Sequence, residues 1–163
     1  MVQVTRPRWM QQRPLVHASR NAIAAIASLA LARVVGLPEP YWACITTFVV
    51  LQAKLGPTFR VSWQRLAGTA LGATLGALLS VYLGPRLLAF GAGVFGIGLI
   101  CAMLHLDDSY RLANITLAIV MLIVRSESPG LVAVHRFLEV AIGIGVALAV
   151  TAVWEEAEPV PTT

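Results

Sequence analysis

Six apolar segments, separated by short polar connections, make up most of this 163-residue chain. The segments cover residues 15–35, 41–53, 66–83, 87–104, 112–124 and 137–154. Unpaired backbone groups are not tolerated against lipid, so segments that cross a bilayer in this way must be helical. Because 58% of the residues are hydrophobic and only 12% are charged, the polar side chains are too few to cover a water-soluble domain. The sequence therefore predicts an all-α, polytopic membrane protein with six transmembrane helices.

Two of the predicted spans, residues 41–53 and 112–124, are too short to cross a bilayer unaided. Each has 13 residues. At about 1.5 Å per residue such a helix extends about 20 Å, against a hydrocarbon core of about 30 Å. Lys54 follows the first segment, and Arg111 and Arg125 flank the second, so cationic groups are drawn towards membrane depth. Short spans at matching places in two halves of a chain are typical of a transport site.

A weak internal repeat divides the chain into two sets of three spans. A shift of 71 residues places Arg136 on Arg65 and Gly143 on Gly72, and a shift near 70 aligns the two short spans. An odd number of spans in each unit forces the two units into opposite orientations. The pattern therefore predicts a 3+3 inverted repeat, a common basis for alternating access around a central site. Chance similarity between apolar helices is the alternative.

Small residues recur at four-residue spacing along several predicted spans. Such faces allow helix backbones to approach closely where no hydrophobic force drives helices together. The glycines predicted to serve this packing are Gly68, Gly72, Gly76, Gly143 and Gly145. A substrate path along these faces is the alternative interpretation.

Polar and cationic side chains form a stripe on the fifth predicted span. Arg111, Asn114 and Arg125 fall at helical spacing along one face. An arginine at the bilayer centre costs roughly 2.5 to 3.5 kcal/mol, and less where it snorkels to the interface. The matching set on the second span is Lys54, Gln52 and Thr46. Two interpretations remain open, namely snorkelling from the ends of the spans and an anion pathway in which guanidinium groups pair with a carboxylate.

Other side chains near membrane depth also have two interpretations each. Tyr41 and Trp42 suit interface anchoring, or a gate that stacks on an aromatic substrate. Glu139 lies one helical turn after Arg136, where it suits an intrahelical ion pair or a proton carrier. The other titratable candidates for proton coupling are His17 and His135.

The distribution of cations predicts orientation. Eight lie on the side of the N-terminus and four on the far side, which places both termini in the cytoplasm of a multi-pass protein of the cell inner membrane. The acidic, proline-containing tail, residues 155–163, is predicted to be disordered. The N-terminus also has features of a signal peptide, although Arg20 and Asn21 interrupt its apolar run.

Several functional classes are excluded by the pattern of residues. Cys44 and Cys101 lie in apolar runs without metal-ligand spacing, so neither a disulfide framework nor a metal site is predicted. No basic run with interleaved aromatic residues suggests nucleic acid. His105, Asp107 and Asp108 cluster without a second ligand set or a nucleophile, so a solvated loop is favoured over a hydrolytic site. We therefore expect no cofactor, no catalytic residue and no enzymatic activity.

A longer motif carries a family resemblance. Residues 41–76 begin with Tyr-Trp-Ala, continue through Val-Val-Leu-Gln and Leu-Gly-x-Thr, and end with Gln-Arg-x-x-Gly-Thr-x-x-Gly-Ala and three further residues. This run resembles the membrane block of the fusaric acid resistance and aromatic acid exporter family. The run His135-Arg136, followed by Glu139 and Ile142-Gly143, is similar to the last span of that family.

The resemblance implies a function. The family is associated with export of aromatic carboxylic acids, and plant aluminium-activated malate channels have a similar six-helix block whose basic residues line a pore between two subunits. It implies an exporter or channel for small organic anions, working as a homodimer in the lipid bilayer. The path candidates that it implies are Lys54, Arg65, Arg111 and Arg125. A non-transporting assembly or scaffold subunit is the alternative hypothesis.

Overall fold

Six helices account for nearly all of the residues that the structure describes. The computed structural model describes residues 8–52, 55–104, 106, 109–123 and 128–154, with side chains from residue 15 onward. The helices are α1 (Arg8–Val34), α2 (Tyr41–Val50), α3 (Leu55–Tyr82), α4 (Leu87–Met103), α5 (Tyr110–Leu122) and α6 (Pro129–Val153). No strand occurs in these ranges. The prediction of an all-α fold with six helices is confirmed.

The helices α3 and α6 extend beyond the apolar segments of the sequence. α3 begins at Leu55 and α6 at Pro129. At the start of α6 the Ser128 hydroxyl oxygen accepts a hydrogen bond from the backbone N–H of Leu131 at 3.4 Å. Proline suits the first helical turn because its missing N–H would have no partner there. Hydropathy marks only the apolar part of these helices, whereas backbone hydrogen bonding continues through their more polar first turns.

Two helices, α2 and α5, are short and end in the same way. α2 has 10 residues and α5 has 13, which correspond to about 15 Å and 20 Å of helix. The residue after each is extended, with ψ of 113° at Leu51 and 112° at Ile123. Within the described ranges, residues 15–34 of α1 and the whole of α6 are long and apolar enough to cross a membrane, while α2, α4 and α5 are apolar but shorter. Six complete spans and an inverted repeat therefore stay predictions.

The distribution of polarity is the reverse of that in a water-soluble protein. Large apolar side chains lie on the outer surface, with Leu88 88% and Val153 89% exposed. Several charged side chains lie inside, and Arg20, Arg136 and Glu139 are at most 3% exposed. Ionisable groups inside a membrane protein face the interior of the bundle in this way because lipid cannot solvate them. The arrangement is that expected of a chain surrounded by lipid.

The packing of the six helices follows a regular order. α3 and α6 pack against each other, α2 packs against α1 and α6, and α5 packs against α4 and α3. α1 also contacts α6, and α4 also contacts α3. The two short helices are thus each held between a long helix and an outer helix, and α3 and α6 form the contact that joins the two halves.

Glycines allow the closest of these contacts. A Cβ atom at Gly72 would collide with the carbonyl oxygen of Ala113 in α5, and one at Gly143 would collide with that of Ala43 in α2. Gly68 lies against Ser109 and Gly76 against Val120 in the same α3–α5 contact. Gly145, by contrast, has open space beside it and takes no part in packing among the described residues.

Candidate functional site

The centre of the bundle is lined with buried polar side chains from α2, α3, α5 and α6. The buried hydroxyl groups that donate to the carbonyl oxygen four residues earlier in their own helix are those of Thr47, Ser62, Thr69, Thr116 and Thr151. Hydroxyl groups bonded in this way are satisfied without a ligand. The groups that need further explanation are the buried charges and the buried hydroxyls of Thr46 and Ser109, which have no hydrogen-bond partner among the described residues.

One charged cluster is built around Arg136 of α6. Its guanidinium forms an ion pair with Glu39, in the connection before α2, and a second with Glu139 at 3.1 Å. The guanidinium carbon also lies 4.6 Å from the centre of the Trp42 ring, a cation–π distance. Glu139 in turn accepts a hydrogen bond from the backbone N–H of Glu39 at 3.2 Å.

This cluster fixes α6 to the start of α2. Two carboxylates and an aromatic face surround one buried cation, so its charge is balanced by the protein itself. Breaking a buried pair by removing one partner typically costs about 3 to 5 kcal/mol, because an uncompensated charge is left behind. The intrahelical pair between Arg136 and Glu139 is present as the spacing suggests. Glu39 was not among the predicted residues; the signal that could have revealed it is an acid within Pro-Glu-Pro between two apolar segments.

Arg65 of α3 is a second buried cation, in a different environment. Its side chain is 4% exposed. Among the described residues, no carboxylate forms an ion pair with it and its Nε has no hydrogen-bond partner. It lies one helical turn before Gly68, the position that contacts Ser109. The Ser109 hydroxyl is also buried, and it too lacks a hydrogen-bond partner within the described ranges.

Arg20 of α1 connects the ends of two other segments. Its guanidinium donates to the carbonyl oxygen of Gln52 at 2.8 Å and to that of Trp154 at 3.2 Å. Carbonyl groups at the ends of helices lack partners within the helix, and a cation there also interacts favourably with the helix dipole. The sequence prediction did not include Arg20 in the site, although a cation inside the first apolar segment is a visible signal.

The predicted path residues have different locations. Lys54 and Arg125 lie outside the described residues. Arg111 is exposed, whereas Asn114 is half-buried, with a buried Oδ1 that has no hydrogen-bond partner in the described part of the chain. Arg111 is therefore in a different environment from the buried Arg65.

The predicted residues of the α2 segment, Thr46 and Gln52, are in a different environment again. Thr46 is buried against Gly143, and its hydroxyl has no hydrogen-bond partner among the residues described. Gln52 acts through its backbone, whose N–H donates to the Thr58 hydroxyl at 3.2 Å and whose carbonyl accepts from Arg20. Thr46 is thus close to the centre of the bundle, and Gln52 marks the end of the α2 segment.

The candidate gate and proton-coupling residues are not all brought together. The Tyr41 and Trp42 rings lie 5.8 Å apart, and Trp42 joins the Arg136 cluster while Tyr41 is exposed. Glu139 lies in that cluster. His17 is exposed on α1, and His135 is half-buried on α6. One face of the Trp42 ring is therefore already covered by a guanidinium group of the protein.

No group of three or more potential metal-ligating side chains occurs among the described residues. The cluster of His105, Asp107 and Asp108 lies outside them. Two open surface grooves are lined almost entirely by apolar side chains, one between α3 and α6 and one between α4 and the start of α5. These grooves carry no charged group and resemble the surrounding lipid-facing surface.

Comparison with known proteins identifies the relationship of the chain. Residues 24–150 match the sequence profile described as fusaric acid resistance protein-like. This chain belongs to that family. The resemblance carried by residues 41–76 is thereby confirmed, and the family is one of membrane proteins.

Individual relatives match over a shorter segment. The chain is similar to the "Uncharacterized transporter YdhK" of Salmonella typhimurium, with 38% identity over 64 residues, and to the protein of the same name in Escherichia coli, with 39% identity over 64 residues. The segment covers 39% of this chain, but only 9% of the first protein and 10% of the second. No solved structure matches the chain at a significant level. The printed names of these relatives describe them as transporters.

Proposed function

We propose that this chain forms a transporter of small organic anions in the cell inner membrane, either an exporter or a channel, with aromatic carboxylic acids as its substrates. The observation that carries the proposal is the buried Arg65 guanidinium, which has no counter-charge among the described residues. A cation held inside a membrane protein marks a pathway for ions or substrates. The transporter relatives support the same class of function.

The protein is built as an inverted repeat, with α1–α3 related to α4–α6. The helix contacts support this architecture, because exchanging α1 with α4, α2 with α5 and α3 with α6 leaves the pattern of packing unchanged. The glycine contacts correspond as well. Gly72 contacts Ala113, and Gly143 contacts Ala43. The two glycines are 71 residues apart in the sequence, and the two alanines are 70 residues apart.

The connections support the same relationship. The backbone N–H of Leu37 donates to the carbonyl of Ala32 at 3.1 Å after α1, and that of Leu106 donates to the carbonyl of Cys101 at 2.9 Å after α4. Both members of the second pair lie 69 residues after those of the first. Repeats of opposite orientation create a site at their interface that can open to either side of the membrane in turn.

The substrate path runs along the interface between the repeats. Arg65 and Thr46 line its centre, and Lys54, Arg111 and Arg125 attract the anion at its ends, with Asn114 beside them. Guanidinium groups suit this role because they bind carboxylates through paired hydrogen bonds. Both termini face the cytoplasm, and anions leave the cell.

Two copies of the chain form the functional unit. Gly145 and Ala149 are exposed on the outer face of α6, at the spacing that allows close helix contact in membranes. A homodimer formed through this face would cover the small residues that the single chain leaves open. Replacing Gly145 with leucine should then convert the dimer to a monomer in detergent, as measured by light scattering coupled to chromatography.

The function is tested by anion release from liposomes that contain the purified protein. We expect benzoate to be released faster from these vesicles than from vesicles without protein. The neutral analogue benzamide should be released from both at the same rate. Alanine at both Arg111 and Arg125 should abolish the difference. Flux equal to that of empty vesicles, or full flux in the double variant, would refute the proposal.

The same vesicles distinguish a channel from a proton-coupled exporter. In an exporter, an imposed pH gradient drives benzoate against its own gradient, and glutamine at Glu139 removes this accumulation while leaving downhill exchange. His17 and His135 are the remaining candidates for the proton carrier. A channel shows only downhill benzoate flux, both in the wild type and in the Glu139→Gln variant.

A non-transporting assembly subunit is the second candidate function. The open space beside Gly145 supports it, because the same outer face suits contact with a different membrane protein. The hypothesis predicts that affinity purification from native membranes returns a second membrane protein in a fixed ratio. Recovery of the homodimer alone, together with benzoate flux, would exclude it.

A further inference from the structure

Two buried arginines occupy corresponding places in the two halves of the protein. Arg136 lies 71 residues after Arg65, as Gly143 lies 71 residues after Gly72. Both arginines are almost completely buried, with 4% of Arg65 and 3% of Arg136 exposed. Each precedes by two helical turns the glycine that contacts a short helix. The two halves therefore place a guanidinium group at the same level of the same helix contact.

The residues around the two arginines differ in charge. The acids that neutralise Arg136 are Glu39 and Glu139. Under the same shifts of 70 and 71 residues, the position of Glu39 is taken by Ser109 and the position of Glu139 by Gly68. Neither of these residues can supply a negative charge.

The local geometry agrees with this correspondence. The backbone N–H of Glu39 lies 3.2 Å from the Oε1 atom of Glu139. In the other half, the backbone oxygen of Ser109 lies 2.8 Å from where a Cβ atom of Gly68 would be. Both pairs of positions are thus in contact.

We propose that Arg65 and Ser109 bind the carboxylate of the transported anion, which takes the place that protein carboxylates occupy around Arg136. The inference rests on the proposed transport function and identifies the group of the substrate that is recognised. Both polar groups are more than nine-tenths buried, and Arg65 Nε and Ser109 Oγ have no hydrogen-bond partner within the described ranges. A guanidinium and a hydroxyl donate hydrogen bonds in the pattern that a carboxylate accepts.

The difference between the halves has a functional consequence. The counter-charge of Arg136 belongs to the chain itself, so that cluster holds α6 against α2. The counter-charge of Arg65 is supplied by the substrate, so it can arrive and leave. A monocarboxylate with an apolar body is the class of ligand that fits one guanidinium in a bundle where the buried hydroxyls of Thr47, Ser62 and Thr69 are bonded within their own helices.

The decisive variant gives position 109 the type of residue found at the corresponding position 39. Ser109→Glu introduces a tethered carboxylate at the position that corresponds to Glu39, and Ser109→Gln is the matched neutral control. We expect Ser109→Glu to raise the benzoate KM for efflux from liposomes at least tenfold and to keep or raise the melting temperature of the detergent-solubilised protein. Ser109→Gln also removes the Ser109 hydroxyl but adds no charge, so it should raise KM by a smaller factor than Ser109→Glu does.

A binding measurement separates recognition from transport. Benzoate should raise the melting temperature of the wild-type protein, benzamide should not, and Ser109→Glu and Arg65→Lys should each lose most of the benzoate effect. A melting measurement without ligand verifies that each variant is folded. If Arg65→Lys fails to fold, the comparison of Ser109→Glu with Ser109→Gln still decides the question.

The outcomes distinguish this inference from the proposed function. Wild-type transport with an unchanged KM in both Ser109→Glu and Arg65→Lys would overturn the carboxylate site and leave the transporter intact. If Asp107→Asn or Asp108→Asn restored wild-type benzoate binding to Arg65→Lys, a fixed acid would be the counter-charge of this site. That result would also overturn the carboxylate site. The absence of benzoate transport and of any benzoate effect on the wild-type protein would overturn both proposals.

Discussion

Adding one methyl group at Gly72 provides a sharp test of the contact between α3 and α5. The Cβ atom of Gly72→Ala would collide with the carbonyl oxygen of Ala113, a backbone atom that cannot rotate away. In an open helix position the same change stabilises by about 1 kcal/mol, because glycine is a poor helix former. Overpacking of a tight contact costs about 1 to 3 kcal/mol. A backbone collision places Gly72 at or beyond the upper end of this range, so we expect a net loss of about 2 kcal/mol.

Gly91 supplies a matched control, because no atom lies within 4 Å of a Cβ at that position of α4. Gly91→Ala should therefore be neutral or stabilising by about 1 kcal/mol. At about 2 to 4 °C per kcal/mol for a chain of this size, Gly72→Ala should melt about 4 to 8 °C below the wild type. The corresponding change at Gly143, which meets the carbonyl of Ala43, should have a similar effect.

The measurement is thermal unfolding of each purified variant in one detergent, followed by the fluorescence of the native tryptophans. Equal melting temperatures for Gly72→Ala and Gly91→Ala would mean that α3 and α5 are farther apart than the structure has them. The two proposed halves would then lack one of their corresponding close contacts.

Three further changes probe the buried charges and the cap of α6. Glu139→Gln removes one of the two ion pairs of Arg136 and should lower the free energy of unfolding by about 2 kcal/mol. The measurement is the melting temperature, which should fall. An unchanged melting temperature would contradict a buried charge cluster. Arg20→Ala leaves two carbonyl oxygens without their donor and should also cost about 2 kcal/mol, with faster amide exchange at the ends of α2 and α6 as the specific readout. Ser128→Ala should cost about 1 kcal/mol, and fraying of the first turn of α6 alone, seen by the same exchange measurement, is the expected pattern.

The membrane character of the chain follows directly from its sequence. A run of apolar residues specifies a helix in lipid because backbone hydrogen bonds must be made within the segment. The motif in residues 41–76 was sufficient to indicate the family, which the match over residues 24–150 confirms. The 71-residue spacing of Arg65 and Arg136, on which the proposed repeat rests, was also visible, since it depends only on positions along the chain.

The partners of the charged residues were much harder to predict. Glu139 was identifiable because it lies one helical turn from Arg136, whereas Glu39 comes from a distant connection and reaches the same cation only in the folded bundle. The contact of Arg20 with the carbonyls of Gln52 and Trp154 is another long-range arrangement. Sequence spacing fixes neighbours along one helix, and it contains no direct record of which helices meet.

The sequence by itself determined that the protein lies in a lipid bilayer, where its helices are, and which small residues permit close packing. Those properties depend on local composition and periodicity. The tertiary structure alone decided that one buried arginine is neutralised by two acids while its counterpart has none among the described residues. The physical reason is that electrostatic compensation depends on distances of a few ångströms between segments far apart in the chain, and only packing sets those distances.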